Sequence, residues 1–505
     1  MWALGGSMIG LMLAAAPIGI ALAGATILVV VTDPMLSPNA LFRAFFQFLN
    51  SYTLMAIPFF IYAGFLMEKT GLITRLFGFA DALIGWVPGG FAYATLLAAV
   101  LFGAISGSST AMAAAMGIIA YPEMIRRGYP VWMSAGIIAC GGGIAILIPP
   151  SITLILYGII TEESIVALFF AGFTPGIMLA ISDAIIIVGI SLFFKLPSGT
   201  FSFRAIGTST LQAWPALAMP ICVLGGLYGG VFTPTEAGAA AAGYAILYGI
   251  VSGVERPGRT RAILVFGGGA VLLVMMSAFG WVDTPFWDRF SGEEKSGSVL
   301  FVVAAYILLP YILYGALALA VFELGMAVVE RNNSFLKELL PTTQRTINLT
   351  AIVYFLLGCV GVFQFLLANK GWPQDIAAWT SEQGFTQMEF LAVLLVVMLF
   401  LSMWLTGVAI LVLTVPIFFP VSLTLGVDPI HLGILAAIAI EMGGVIPPVG
   451  LNLFAVSGTT GVPVVQVMKG AIPFLITDGI VLILMLFFPI LALWLPNLMI
   501  QSHFN

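Results

Sequence analysis

Apolar residues in this chain do not alternate and do not keep to one helical face; they run on for a whole span at a time. GIALAGATILVVV (19–31) and AIVYFLLGCVGVFQFLLA (351–368) are two such runs. A helix that is apolar all round has no soluble face, and about 20 such residues cross a bilayer. The pattern predicts helices near 3–31, 45–67, 88–106, 109–121, 131–148, 151–175, 176–195, 212–230, 235–252, 262–284, 299–329, 346–368, 388–407, 408–425, 430–446, 448–462 and 472–497. Several of these are too short to cross on their own. A membrane β-barrel would show alternating segments of about ten residues instead, and none occurs.

Composition closes the question of class. Of 505 residues, 61% are hydrophobic and 8% charged, with a mean hydropathy of +1.14, where a soluble chain carries roughly 25% charged residues. The chain reads as an all-α polytopic membrane protein. A net charge of −5 says little about partners, and no basic tract suggests nucleic acid. Cys140, Cys222 and Cys359 sit inside apolar runs, without disulfide or metal-ligand spacing. The apolar N-terminus lacks a basic leader and reads as a first span. Lys195 with Arg204, then Arg256, Arg259 and Arg261, then Arg331, Lys337 and Arg345 mark three cytoplasmic loops. The segments 283–298 and 371–387 fall outside.

Two runs are broken by proline pairs. Pro149–Pro150 in GGGIAILIPPSITLILYG (141–158) has a counterpart in Pro447–Pro448, and 447 − 149 = 298. The same offset joins Pro122 to Pro420, Gly128 to Gly426, Gly172 to Gly470 and Pro175 to Pro473. One match among so many prolines and glycines means nothing, but six in one register over about 55 residues indicate a duplicated unit. Proline lacks the N–H and clashes with the preceding turn, so each pair frees backbone carbonyls. In lipid, freed backbone is tolerated only inside protein or beside a wet cavity. Carbonyls there can coordinate a cation and helix N-termini can face an anion, which makes paired breaks pointers to a transport site. Simple packing kinks are the competing reading.

Upstream of the first break, FGAISGSSTAMAAAMG (102–117) places Ser106, Ser108, Ser109 and Thr110 among small residues. Tight helix packing is the alternative use for them. The corresponding SMWLTGVAILVL (402–413) offers Thr406 and Gly407 and fewer hydroxyls. Acids within spans are costly and mark functional positions by default; here they are Asp183, Glu236, Glu323, Glu441 and Asp478. Glu441 stands just before the second break, whereas Glu236 suits a helix N-terminus. Asp183 and Asp478 follow the repeats at unequal distances and are not equivalent. Enzyme signatures are missing: AISG lacks the first glycine of a protease turn, the histidines are His431 and His503 alone, and there is no Walker A or HExxH. The chain reads as no enzyme, and transport without an ATP element needs a gradient.

FGAISGSSTAMAAAMGIIAYPEMIRRGYP, IPPSITLILYG, GGLYGGVFTPTEAGAAAAGYA (225–245), IPFFIYAGFLMEKTG (57–71) and EMGGVIPPVGLNLFAVSG (441–458) together resemble the DctM-type large membrane subunit of tripartite ATP-independent periplasmic (TRAP) transporters. The motifs cover about 1–255 and 331–500. The resemblance implies two inverted repeats with re-entrant hairpins in an elevator-type transport domain, held by a scaffold. It implies import of an organic anion coupled to Na+ across the bacterial inner membrane. It also implies a separate small membrane subunit (DctQ type) and a periplasmic binding protein (DctP type). Carried over, a first sodium site takes Ser106 and Ser109 with backbone at Ala145, Ile148 and Pro150. Family members commonly have glycine where Ala145 stands, which a carbonyl ligand tolerates. A second takes Thr406 and Gly407 with Gly443, Ile446 and Pro448. Substrate would meet Ser151, Thr153 and Asn452.

The chain then divides into a first half (1–255, hairpin break at 149–150), an inserted pair of spans (256–330) and a second half (331–505, hairpin break at 447–448). The insertion is expected to extend the scaffold or an oligomer contact and to carry no sodium ligand. Three other readings stay open: a stand-alone carboxylate carrier without a binding protein, a membrane-embedded enzyme acting on lipid or peptide, and a passive channel, which duplicated broken helices suit less well than alternating access.

Overall fold

A computed structural model describes residues 2–14, 16–33, 36–252, 334–447 and 449–504. Glu323 and the segment 256–330 lie outside the described residues. So do Arg331 and Pro448. Among the described residues every regular element is a helix. Among the described residues six helices are long and apolar enough to cross a membrane, or seven if the pair Pro38–Leu49 and Tyr52–Lys69, bent by 59°, is one span.

One group of helices forms a frame. It comprises α1 (Trp2–Leu13), α2 (Ile18–Thr32), α3 (Pro38–Leu49), α4 (Ala56–Lys69), α5 (Leu72–Ile84), α11 (Phe203–Tyr228), α12 (Pro234–Ser252) and α13 (Ser334–Lys370). The 37 residues of α13 reach about 55 Å at 1.5 Å per residue, and they lie along α2, α3 and α4. Tyr354 donates to the Leu54 carbonyl at 3.0 Å, and the Tyr62 hydroxyl meets Thr343 at 2.9 Å. Arg345 stacks 4.2 Å over Phe65. At the far end Lys370 pairs with Asp33. As its position suggested, Glu236 serves the start of α12: its carboxylate accepts from the Thr233 N–H at 2.8 Å.

The second group is built twice. Helices α6 (Gly90–Ser106) and α7 (Ser109–Arg126) form a hairpin. Its two ends meet, with the Phe91 N–H on the Tyr129 hydroxyl at 3.2 Å and Arg127 3.9 Å over the Phe91 ring. Next come α8 (Val131–Leu147) and α9 (Ile152–Thr161), which together make one interrupted span of 31 residues. In the second half α15 (Gln387–Ser402) and α16 (Gly407–Thr424) form the hairpin, closed where Gln387 donates to the Gly426 carbonyl at 3.4 Å. The interrupted pair is α17 (Pro429–Gly443) and α18 (Leu451–Thr460). The offset of 298 seen in the prolines also joins helix starts: Ser109 to Gly407 and Val131 to Pro429.

The hairpins are therefore not at the proline pairs, as the sequence reading had them. The turns fall at 107–108 and 403–406, while Pro149–Pro150 interrupts a helix that carries on in the same general direction. Geometry explains the division. Arms of 17 and 18 residues and the 17 residues of α8 start from one face and all rise about 26 Å. Tip and break thus meet at one depth, and α9 continues about 15 Å beyond.

Other boundaries differ from the sequence reading too: the run 3–31 is two helices, 45–67 is split between α3 and α4, and α5 lies where no helix was expected. The expected helix end at Pro175 does not occur. Helix α10 (Ile165–Phe194) runs through it, because Gly172 and Gly176 let α10 lie against Leu147 and Ile148 at the break. The chain turns instead at Glu162, which adopts φ 61°, and Ser164 caps α10 by accepting from Ala167 at 3.2 Å. The segment 371–387 contains a helix, α14 (Trp372–Glu382), set off from α13 by Gly371 at φ 66°. The C-terminal run is two helices, α19 (Val464–Phe487) and α20 (Ile490–Phe504).

Candidate functional site

Each proline pair acts first on its own helix. Pro149 cannot donate to the Ala145 carbonyl, nor Pro150 to the Ile146 carbonyl. Both carbonyls sit in protein rather than lipid, since 89% of the most apolar stretch of this span is buried. The tip of the first hairpin comes down on this break. Gly107 adopts φ 57°, where an L side chain is strained, and a Cβ there would lie 2.6 Å from the Pro150 carbonyl oxygen. Ser106 and Ser109 flank that glycine and are buried. The first predicted set, Ser106, Ser109, Ala145, Ile148 and Pro150, is thus gathered around one tip and one break. Hydroxyl and carbonyl oxygens are the donors a sodium ion takes, so the residues fit this cation as cargo.

The arms cross the broken helices at van der Waals distance in both copies, by a swap of small residues. In the first, Gly103 of α6 rests on Ala145, whose Cα would be 2.6 Å from an added Cβ. In the second, the glycine has moved to the broken helix: Gly443, which stands 298 residues after Ala145, is packed against Ser402 of α15. Ser402 is buried and its hydroxyl donates to the Leu399 carbonyl at 2.8 Å and the Ala439 carbonyl at 3.3 Å. It was not chosen from the sequence, and its first-half counterpart by the offset is Ala104. The rest of the second predicted set is more open. Thr406 is exposed, Gly407 and Ile446 are half-buried, and Gly407 faces the Ile440 side chain.

Where the two breaks face each other, the halves are joined by side chains. Asn452, at the start of α18, donates to Ser109 Oγ of α7 at 2.5 Å, to Glu441 Oε1 at 3.3 Å and to the Ala139 carbonyl of α8 at 3.4 Å. Ser109 Oγ in turn lies 3.4 Å from Glu441 Oε1. Asn452 is 1% exposed and Glu441 5%. The glycine triplet 141–143 makes this possible. A Cβ on Gly142 would meet the Ser109 carbonyl at 3.0 Å and Asn452 Nδ2 at 3.1 Å, and one on Gly143 would overlap the Glu441 carboxylate. The sequence drew notice to the triplet and to Glu441, but periodicity carries no record of which helix each glycine faces.

The residues expected to meet substrate have other work here. Asn452 belongs to that junction, Ser151 caps α9 by accepting from the Leu154 N–H at 3.3 Å, and Thr153 is buried beside it. Polar space lies further out. A cavity of about 1010 Å³ between the frame and the α9–α10 turn is lined by Gln47, Asn50, Glu162, Glu163, Ser164 and Gln364. Gln364 of the frame also reaches the Ile160 carbonyl at 3.4 Å. The opposite face carries Arg126, Arg127 and Lys195, which makes it the cytoplasmic one. There Arg127 holds Asp81 at 2.8 and 3.0 Å and Glu123 at 2.7 Å.

This arrangement of hairpins and broken spans has sequence relatives. The family model described as "Tripartite ATP-independent periplasmic transporter, DctM component" matches residues 6–284 and 288–491. The match therefore continues through 256–330, beyond the two parts that the motifs cover. The C4-dicarboxylate TRAP transporter large permease of Pseudomonas aeruginosa is 34% identical over 90% of this chain and 88% of its own. Its counterpart in Vibrio cholerae is 30% identical over 97% and 96%. The sialic acid TRAP transporter large permease of Vibrio cholerae is 28% identical over 97% of both chains. The chain belongs to the DctM family of TRAP transporter large permeases, and is a multi-pass membrane transporter rather than an enzyme.

Proposed function

We propose that this chain imports an organic anion across the bacterial inner membrane, driven by a sodium gradient and fed by a periplasmic binding protein. The observation that carries this reading is the junction of Ser109, Glu441 and Asn452. It ties two hairpin-and-break units into one buried polar centre between the first tip and the two breaks.

The chemistry runs as follows. Sodium binds at the first tip through Ser106 and Ser109 with backbone carbonyls at Ala145, Ile148 and Pro150. A second ion binds around Thr406, Gly407, Gly443, Ile446 and Pro448. Filling the sites draws each tip onto its break, which orders the groups around Ser151, Thr153 and Asn452 for a carboxylate. The two units act as inverted repeats, as the family resemblance implies. They move together as an elevator against the frame. The polar cavity at that boundary leaves room for such sliding. Relatives named for C4-dicarboxylate and sialic acid transport point to a carboxylate substrate, and family membership brings a small membrane subunit and a binding protein as partners.

Uptake into proteoliposomes holding this chain and its small subunit tests the reading. Labelled C4-dicarboxylates, sialic acid and other organic acids are offered with and without an inward sodium gradient and the cognate binding protein. Uptake requiring both is the expected result. Sodium-driven uptake without the binding protein would establish a stand-alone carrier instead. Uptake indifferent to sodium, by folded protein, would overturn the assignment of the tips and breaks as cation sites.

A further inference from the structure

Two buried acids take no part in the junction. Asp183 on α10 and Asp478 on α19 are 1% and 8% exposed. Their helices pack together, and the carboxylates are within electrostatic reach of each other. Oδ1 of each lacks a hydrogen-bond partner. No lysine, arginine or histidine forms an ion pair with either among the described residues. Three other titratable groups come near from packed elements. Cys140 of α8 feels both acids and donates its thiol to the Ala471 carbonyl at 3.8 Å. Glu441 of α17 is within reach of Asp478. His431 of α17 meets α19 at the Met485 carbonyl, 2.8 Å away and nearly two turns past Asp478.

Two ionised carboxylates buried on packed helices in a low-dielectric interior repel each other and lose their hydration. The pair is stable there only with one positive charge added. A metal cation would need further oxygen donors, whereas the third neighbour is a thiol and no metal-binding group of three acids, cysteines or histidines exists among the described residues. We propose that Asp183 and Asp478 form a proton-binding site that holds one proton, taken from water, on one or the other carboxyl group, leaving the pair with a single negative charge. The two acids sit where the long helix that follows the first broken span, α10, meets the one that follows the second, α19. The proton allows α10 and α19 to stay in contact inside the membrane without a cationic partner.

Infrared difference spectroscopy of the full chain in lipid nanodiscs at neutral pH tests this without any transport assay. The expected spectrum contains a protonated-carboxyl C=O band, shifted in D2O and equivalent to one group per chain, that survives Glu441→Gln. The double variant Asp183→Asn/Asp478→Asn should lose it. If that variant does not fold, Asp183→Asn and Asp478→Asn singly should each move the band frequency. A band unchanged in the double variant, or unmoved in both single ones, overturns the proposal. So does a wild-type band that disappears on adding sodium or lithium, since a metal cation would then be the occupant.

Discussion

The closeness of α8 to α17 rests on a residue with no side chain, and adding one carbon is a sharp perturbation. In Gly143→Ala the new methyl falls on the Glu441 carboxylate, with Cγ and Cδ at 2.6 Å. Glu441 has little room to withdraw, being 5% exposed and held by Ser109 and Asn452. Overpacking of this kind costs about 1–3 kcal/mol, offset by up to about 1 kcal/mol from the better helix propensity of alanine. Gly189→Ala on α10 makes the same chemical change where nothing lies within 4 Å, so it keeps only the gain. Thermal unfolding in one detergent should place Gly143→Ala below wild type and Gly189→Ala at or above it, about 2 kcal/mol apart. Adding Glu441→Ala vacates the contested space, so the double variant with Gly143→Ala should be more stable than the sum of the single losses by about 1 kcal/mol or more. Equal melting of the two alanine variants, or strict additivity in the cycle, would refute the packing argument.

Other consequences can be checked in the same preparations. Ser109→Ala removes an oxygen from the first sodium set and should raise the sodium concentration for half-maximal uptake by about 10-fold or more, from about 1.5–3 kcal/mol per charged hydrogen-bond equivalent. Thr386→Ala breaks the capping box at the start of α15, where Thr386 Oγ1 accepts from Glu389 N at 3.3 Å; the loss should be about 1 kcal/mol in melting, with sodium dependence unchanged. Arg127→Ala gives up its pairs with Asp81 and Glu123 and its place over Phe91. At a partly exposed site that is worth about 1 kcal/mol, and the difference from wild type should narrow in high salt. Glu163, in the turn after α9, is pushed above its ordinary 4.5 by burial and then by Asp428. A carboxyl raised in the fold opposes folding once it ionises, so Glu163→Gln should melt like wild type below about 4.5 and above wild type at neutral pH.

The sequence by itself determined the membrane class, the all-helical fold and the duplication. Charge scarcity and run length are properties of composition, and the offset of 298 depends only on where prolines and glycines stand. The grouping of Ser106 and Ser109 with the backbone at Ala145, Ile148 and Pro150 came from the family resemblance rather than from spacing. Which interruption is a turn and which is a break in a straight span was not legible in the sequence. A proline pair frees backbone in either geometry, and the turn at Gly107 needed the arms to be packed before it could be distinguished. Pro175 misled for the same reason, since neighbouring helices decide whether a proline ends a span. The burial of Ser402 and the junction of Ser109, Glu441 and Asn452 exist only across α7, α8, α15, α17 and α18. In a chain this apolar, periodicity cannot say which face of a helix meets which neighbour. Only the tertiary structure does, because contact in the interior is decided by shape, a glycine against a carboxylate, rather than by hydrophobicity.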